Sequence, residues 1–197
     1  MRKKSILSLV GALLLASCSP RDFLTRRLAT DLISASDDFK RTQQFPLQTG
    51  IVANKDYVSP EYLVLQQHGW IAANKALCPP AQAPPCWDVL LTPSGVDTVR
   101  SLVPAAESDK SLLFIPVAKR ELLAVSRISK LGNLADVDFL WRWAPLNEVG
   151  AALYSSDLHY VSTVGLRDYD DGWHLLQSAP HSGQTMDEAI KNAEPAQ

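Results

Sequence analysis

A nine-residue stretch in the second half of the chain constrains the fold more than any other feature. Apolar residues occupy every second position in it, at Ala135, Val137, Phe139, Trp141 and Trp143. The positions between them hold Asp136, Asp138, Leu140 and Arg142. Because successive side chains of a β-strand point to opposite faces of the sheet, this pattern predicts a strand with one buried, aromatic face and one solvated face. Such a strand requires neighbouring strands and a layer that covers its apolar face.

The residues on either side of this strand predict its neighbours. In chain order these are strands at 112–117 and 121–128, or one long strand bent at Pro116, a helix at 145–154, a hairpin of 160–169 with 173–177 around Asp170-Asp171-Gly172, and a short helix from the capping-box pattern at 185–188. These elements predict a twisted antiparallel sheet with a helix across it. Their order resembles that of cystatin-like and NTF2-like sheets.

The first half of the chain predicts a mixture of helices and strands. They are an amphipathic helix through 23–40, an extended piece at 45–52, a helix from Ser59-Pro60-Glu61 to Gly69, strands at 70–77 and 87–91, and a helix from Thr92 to Leu102. The predicted fold class is therefore α+β. We divide the mature chain into a unit at 23–104, an antiparallel β unit at 105–177 and a polar tail at 178–197.

The N-terminus has the layout of a secretory signal. Arg2, Lys3 and Lys4 form a positive region, and an apolar run of 11 residues follows from Ile6 to Ala16. A helix of that length reaches about 16 Å, roughly half of a ~30 Å hydrocarbon core. The run is therefore too short to span a membrane, and residues 1–17 are predicted to be a removable export signal.

The residues Leu15-Ala16-Ser17-Cys18 resemble the lipobox of bacterial lipoproteins. The resemblance implies transfer of diacylglycerol to the Cys18 thiol, cleavage before that residue, and a lipidated tether at 18–22. Two or three acyl chains would hold the protein firmly on a membrane. Ser19, in a position where Asp is an inner-membrane retention signal, implies the outer membrane, facing the periplasm, if the cell is diderm. An ordinary secretory signal with a cysteine near its end is the alternative.

The two remaining cysteines, Cys78 and Cys86, are an even pair in an oxidising compartment, and this predicts a disulfide. They enclose the loop Pro-Pro-Ala-Gln-Ala-Pro-Pro between the two predicted strands, so the bond would close the tip of a hairpin. Free thiols are one alternative. A zinc site is another, but two cysteines without nearby His or Asp partners fall short of four ligands.

Residues 59–104 resemble the last part of a winged-helix domain, with helix, strand, long loop, strand and helix in that order. Winged-helix proteins commonly bind DNA, but the segment carries Lys75 and Arg100 against Glu61, Asp88 and Asp97. After the signal is removed, 16 basic side chains face 21 acidic ones, a net charge of about −5. Nucleic acid is therefore excluded as a partner on electrostatic grounds, and the segment would act as a scaffold or a protein contact.

The sequence predicts no catalytic, metal or cofactor site. The four histidines, His68, His159, His174 and His181, are scattered, and the chain has no nucleophile elbow and no phosphate loop. Asp136 and Asp138 fit a solvated strand face, and the aspartates near Gly172 fit a turn rather than a calcium loop. The favoured function is a non-enzymatic, membrane-anchored envelope protein with a protein partner. The alternatives are a small-ligand binder that uses a cavity of the C-terminal sheet and a hydrolase with an unrecognised site.

Processing at Cys18 is a direct prediction of this N-terminus. Cys18→Ala should block maturation and release the protein from membranes, because the thiol is the acceptor of the lipid. Membrane fractionation and intact-mass analysis in the native host measure both effects. An unmodified Cys18 in the native protein would contradict the prediction.

Overall fold

A computed structural model of the chain describes residues 23–80, 82–104, 110–178 and 183–196, and the predicted α+β class is confirmed. The helices are α1 (Arg26–Ala35), α2 (Asp37–Lys40), α3 (Asn54–Tyr57), α4 (Pro60–Gln67), α5 (Pro93–Leu102), α6 (Glu148–Leu153) and α7 (Met186–Lys191). The strands are β1 (Gln43–Gln48), β2 (Gly50–Ala53), β3 (Ile71–Ala76), β4 (Cys86–Leu91), β5 (Leu112–Leu131), β6 (Leu134–Pro145), β7 (His159–Tyr169), β8 (Gly172–Leu175) and β9 (Glu194–Pro195). The signal, Cys18 and the tether lie outside the described residues.

The strands form a large antiparallel sheet and a small one. The large sheet has the order β1-β5-β6-β7-β8, and β9 also pairs with β7; the small sheet has the order β2-β4-β3. Strand β6 contains the alternating stretch that dominates the sequence, and residues 135, 137, 139 and 141 are all buried. Residues 112–131 form one long strand, the second of the two predicted arrangements.

Strand β5 keeps one face inward over 20 residues because three bulges correct its register. An extra residue stands in β5 at Val117, at Leu123 and at Ser126. Each bulge shifts the alternation of side chains by one position. Before the first bulge, the inward-facing residues are odd-numbered (113 and 115), and after it they are even-numbered (118, 120 and 122). After the second bulge residue 125 faces inward, and after the third residue 128 does. Without the bulges, half of the strand would turn its apolar side chains to solvent.

Two hydrophobic cores lie on the same inner face of the large sheet. One core packs Val125, Phe139, Trp141 and their neighbours against α1, α2 and α7 through Ile33, Phe39 and Met186. The other packs β1 and the first part of β5 against the small sheet, α4, α5 and α6 through residues such as Leu47, Ile115, Leu65, Val89 and Val149. The outer face carries the ion pairs Arg142–Glu121 and Arg127–Asp138, each at 2.7 Å, and also exposes Leu112 and Phe114.

Arg120 lies at the junction of the two cores. Its guanidinium donates hydrogen bonds to the carbonyls of Asp38 (2.9 Å) and Arg41 (3.2 Å) at the end of α2, and it lies 4.9 Å from the centre of the Trp143 ring. Burial lowers the pKa of Arg120, and the charge of Arg41 lowers it further, whereas Asp38 raises it. One side chain thus joins α2 to the aromatic end of β6.

Two predicted elements are each divided in the structure. The prediction of one continuous helix at 23–40 is wrong, because the helix is interrupted at Ser36. The hydroxyl of Ser36 donates to the carbonyl of Ile33 (2.9 Å) and accepts from the amide of Phe39 (3.3 Å). It therefore ends α1 and begins α2. The predicted extended piece at 45–52 is two strands in different sheets. The chain turns between them at Gly50, which has a φ of 78°.

The packing of the first elements differs from the predicted division of the chain. Helices α1 and α2 and strand β1 pack on the large sheet, whereas the sequence analysis grouped them with the hairpin at 70–91. Helix α1 lies against β5 and β8, which come much later in the chain, and periodicity alone does not identify these partners. The domain limits themselves stay a prediction.

Close backbone contacts fix α5 and α6, which cover the core between β1, the first part of β5 and the small sheet. A Cβ atom at Gly95 in α5 would lie 1.9 Å from the carbonyl oxygen of Trp70, and one at Gly150 in α6 would lie 1.8 Å from the carbonyl oxygen of Val117. Both helices therefore require glycine where they cross a strand or its end. The N-cap of α5 is Thr92, whose hydroxyl accepts from the amide of Gly95, so Ser94 lies within the first turn.

Candidate binding surfaces: the stapled hairpin and the β1 groove

The residues with catalytic potential are separated in the structure. The ring of His68 stacks on Trp70 at 4.7 Å, and His174 lies 3.0 Å from the carboxylate of Asp171 at an exposed turn. Asp138 accepts from Arg127 and from the hydroxyl of Thr163 (2.8 Å), and Asp136 is exposed. In the described part of the chain, no three His, Cys, Asp or Glu side chains group to hold a metal ion. His181 lies outside that part.

The predicted disulfide is confirmed: Cys78 and Cys86 are joined, with their Cα atoms 5.2 Å apart. Cys86 is the first residue of β4 and pairs with Ala76, the last residue of β3. The bond therefore closes the hairpin immediately beyond its last ladder pair. Leu77, next to the bond, has 95% of its side chain exposed. We call the segment from Leu77 to Pro85 the stapled tip.

A chain of contacts connects the stapled tip to helix α3. The amide of Asn54, the first residue of α3, donates to the carbonyl of Pro85 (3.2 Å), and the indole of Trp87 donates to the side-chain oxygen of Asn54 (2.9 Å). The ring of Trp87 packs on Tyr57 at 4.7 Å. The position of the α3–α4 segment therefore depends on the hairpin.

The aromatic contacts continue from α3 to the edge of the large sheet. Tyr57 meets Tyr62 edge to face at 6.3 Å, and Tyr62 meets Phe45 of β1 at 6.0 Å. The hydroxyl of Tyr57 donates to the side-chain oxygen of Gln66 (2.6 Å), which fixes its orientation within the helix pair. This row of rings joins the two sheets, and two of its members, Tyr62 and Phe45, line a groove.

The groove lies between the outer edge of β1 and the α3–α4 segment and has a volume of about 460 Å³. Its size is in the range of small-ligand sites. Amide, hydroxyl and charged side chains line most of it, together with a few apolar ones: Gln43, Gln44, Phe45, Pro46, Gln48, Lys55, Asp56, Ser59, Glu61, Tyr62, Leu112 and Tyr154. We call it the β1 groove.

The edge of β1 that borders the groove is protected against pairing with another strand. Tyr62 satisfies both backbone groups of Gln48, because its hydroxyl accepts from the amide (2.7 Å) and donates to the carbonyl (3.1 Å). Pro46 has no amide hydrogen, and the carbonyl of Gln44 accepts from the side chain of Gln43 (3.2 Å). These devices are those by which natural edge strands avoid aggregation.

Two phenols in the groove stay protonated at neutral pH. Burial raises the pKa of Tyr62, the backbone hydrogen bond with Gln48 partly offsets this, and Asp56 raises the pKa further. Burial also raises the pKa of Tyr154, with a further contribution from the carboxylate of Glu61. Both hydroxyls are therefore neutral donors.

Side chains occupy the inner face of the C-terminal sheet, where the ligand-binding alternative needs a cavity. Ile33, Phe39 and Met186 cover Phe139 and Trp141, and all five are buried. The grooves lie at the margins of the sheet. One of about 630 Å³ runs between α2, the segment after β8 and α7, and it includes Asp37, His174 and Thr185.

The stapled tip can be predicted from the sequence, whereas the β1 groove cannot. Cys78 and Cys86 carry a local signal, since they are an even pair and lie between two predicted strands. Tyr62 and Gln48 are 14 residues apart in different elements, and Tyr154 comes from a third element much later in the chain. No local pattern marks such a contact.

The role of Tyr62 at the strand edge gives a test. Tyr62→Phe should lower the free energy of unfolding by about 1–2 kcal/mol, because it leaves the partly buried amide and carbonyl of Gln48 without a partner. Denaturant unfolding measures the change. Tyr169→Phe, at an exposed tyrosine, is the control and should change the stability by less than about 0.5 kcal/mol. An equal effect of both substitutions would contradict the assignment.

Among the described helices, none has the length and apolar content needed to cross a membrane.

No family model, curated protein or solved structure matches the chain.

Proposed function

We propose that the mature protein is a lipid-anchored lipoprotein of the cell envelope that acts by binding another envelope protein and does not catalyse a reaction. The export signal and the lipobox-like residues around Cys18 support the location. The stapled tip supports the mode of action, and the exposure of Leu77 beside the disulfide is the observation that carries it.

The stapled tip has the properties of a protein contact. Residues 76–87 contain no charged side chain, and the cores of protein interfaces are depleted of charge. An exposed Leu in a monomer is common, but a segment whose apolar residues are held outward by a disulfide and four prolines needs little ordering when it binds. The segment loses its conformational entropy during folding and not during binding, so more of the contact energy contributes to the affinity for the partner.

The β1 groove supports a second candidate function, the binding of a small polar ligand. Three glutamine side chains and the neutral phenol of Tyr154 line a volume of about 460 Å³ beside Pro46 and Phe45, while the hydroxyl of Tyr62 is already bonded to both backbone groups of Gln48. Amides and phenols donate and accept hydrogen bonds without charge, which suits an uncharged ligand with several hydroxyl or amide groups. Native mass spectrometry of protein purified without denaturation measures whether such a molecule is retained.

Site-specific photo-crosslinking in the native envelope tests the proposed partner. A photoreactive side chain at position 77 should give one reproducible protein adduct that mass spectrometry can identify. The matched control has the same photoreactive side chain at position 131, at the turn between β5 and β6, where Leu131 is 82% exposed. It should not give this adduct. Replacing both Cys78 and Cys86 with Ser should reduce the adduct several-fold, because the tip is no longer held in one shape.

The absence of an adduct at position 77, or the same adduct at both positions, would contradict binding through the stapled tip. A retained small molecule together with no adduct would favour the β1 groove instead.

A further inference from the structure

The surface at the start of α1 combines an exposed aromatic ring with two cations. Phe23 has 61% of its side chain exposed, and Arg26 and Arg27, which follow it within one turn, are exposed as well. Among the ion pairs of the described residues, none includes Arg26 or Arg27. We call these three residues the Phe23–Arg27 surface.

The two arginines do not stabilise the helix that carries them. The first turn of α1 contains no acidic residue, although negative side chains are the ones that interact favourably with the N-terminal end of a helix. Among the other described helices, all but α5 have an acidic residue in the first turn. Helix α7, for example, begins with Asp187 and Glu188 and ends with Lys191, which pairs with Asp187 at 2.6 Å. Interaction with the end of the helix therefore does not account for the two arginines of α1.

The Phe23–Arg27 surface is fixed to the rest of the fold. Leu24 is buried in the core around Phe139 and Trp141, and the hydroxyl of Thr25 caps the helix by accepting from the amide of Leu28 (3.1 Å). Arg26 donates to the carbonyl of Ser126 on β5 (3.1 Å), next to the exposed Arg127. Whatever binds this surface therefore orients the whole sheet.

The length of chain before the surface limits its distance from the proposed anchor. Five residue steps separate Cys18 from Phe23, and a fully extended chain spans at most about 18 Å over them. If Cys18 is held in a membrane, the Phe23–Arg27 surface lies at or close to the lipid headgroups. The mature chain as a whole is negatively charged, with 21 acidic side chains against 16 basic ones, so its net charge opposes contact with anionic lipids.

We propose that the Phe23–Arg27 surface docks on anionic phospholipid headgroups of the membrane that carries the anchor, with Phe23 entering the interface. The inference rests on the proposed lipid anchor at Cys18. Arginine and an aromatic ring are side chains that anchor helices in the membrane interface.

Docking in this way would point the binding surfaces away from the membrane. The contact with Ser126 lies 14 residues along β5 from Leu112, which borders the β1 groove, and a strand of that length has a contour of about 46 Å. The small sheet, which carries the stapled tip, packs against β1 and the first part of β5, at that end of the strand. The protein would thus present them to the envelope space.

Fluorescence quenching by brominated lipids tests the docking. The mature chain is coupled to a maleimide lipid through Cys18, the one cysteine outside the Cys78–Cys86 bond, in vesicles of brominated phosphatidylglycerol and phosphatidylcholine. In the Phe23→Trp variant the new indole should be quenched, whereas in Leu131→Trp, the matched control, it should not. Vesicles of brominated phosphatidylcholine alone should quench the indole at position 23 much less.

Charge variants, made in the Phe23→Trp chain, measure the contribution of the arginines. R26Q combined with R27Q should lower the ratio of docked to undocked chains about thirty-fold, which corresponds to ~2 kcal/mol at about 1 kcal/mol per cation near an anionic surface. K75Q combined with R100Q removes two exposed cations from β3 and α5, away from the Phe23–Arg27 surface, and should leave the ratio unchanged.

Equal quenching at positions 23 and 131, no quenching on the anionic vesicles, or no effect of R26Q with R27Q would overturn the proposal. The coupling is chemical and does not depend on lipidation in the cell. Failure of docking is therefore distinct from failure of the proposed anchor, which intact-mass analysis of native protein measures separately.

Discussion

The structure depends on one strand that serves two cores. Residues 112–131 form an unbroken strand whose first part contributes Leu113, Ile115 and Val117 to one core and whose second part contributes Val125 to the other. A strand that curls over such a length can keep its apolar side chains on one face only if its register is corrected. The three bulges provide that correction, and they also increase the local twist that curls the sheet around both cores.

Rigid contacts extend from this strand to the surfaces that we propose to be functional. At one end, Phe45 pairs with Ile115 and leads through Tyr62, Tyr57 and Trp87 to the disulfide-closed hairpin. At the other end, the carbonyl of Ser126 holds Arg26 at the start of α1. Between them, Arg120 ties α2 to the junction of the cores. A force or a partner at either end therefore acts on the same sheet.

Local signals in the sequence predict the elements, and contacts between distant residues decide their arrangement. The alternation at 135–143 and the cysteine pair at 78 and 86 are local, and the structure agrees with both. The apolar periodicity of residues 23–40 continues through Ser36 without a break. It therefore does not predict that the hydroxyl of Ser36 ends the helix. Nothing in residues 45–52 shows that Gly50 sends the chain from one sheet to the other. The β1 groove is unpredictable for the same reason, since it forms only when three distant elements meet.

Differential scanning calorimetry of the mature chain with its disulfide intact tests most directly whether β5 makes the two cores one unit. Because each core includes part of that strand, neither should melt while the other remains folded. We expect a single transition whose calorimetric enthalpy equals its van't Hoff enthalpy. Two separable transitions, or a calorimetric enthalpy well above the van't Hoff value, would contradict it.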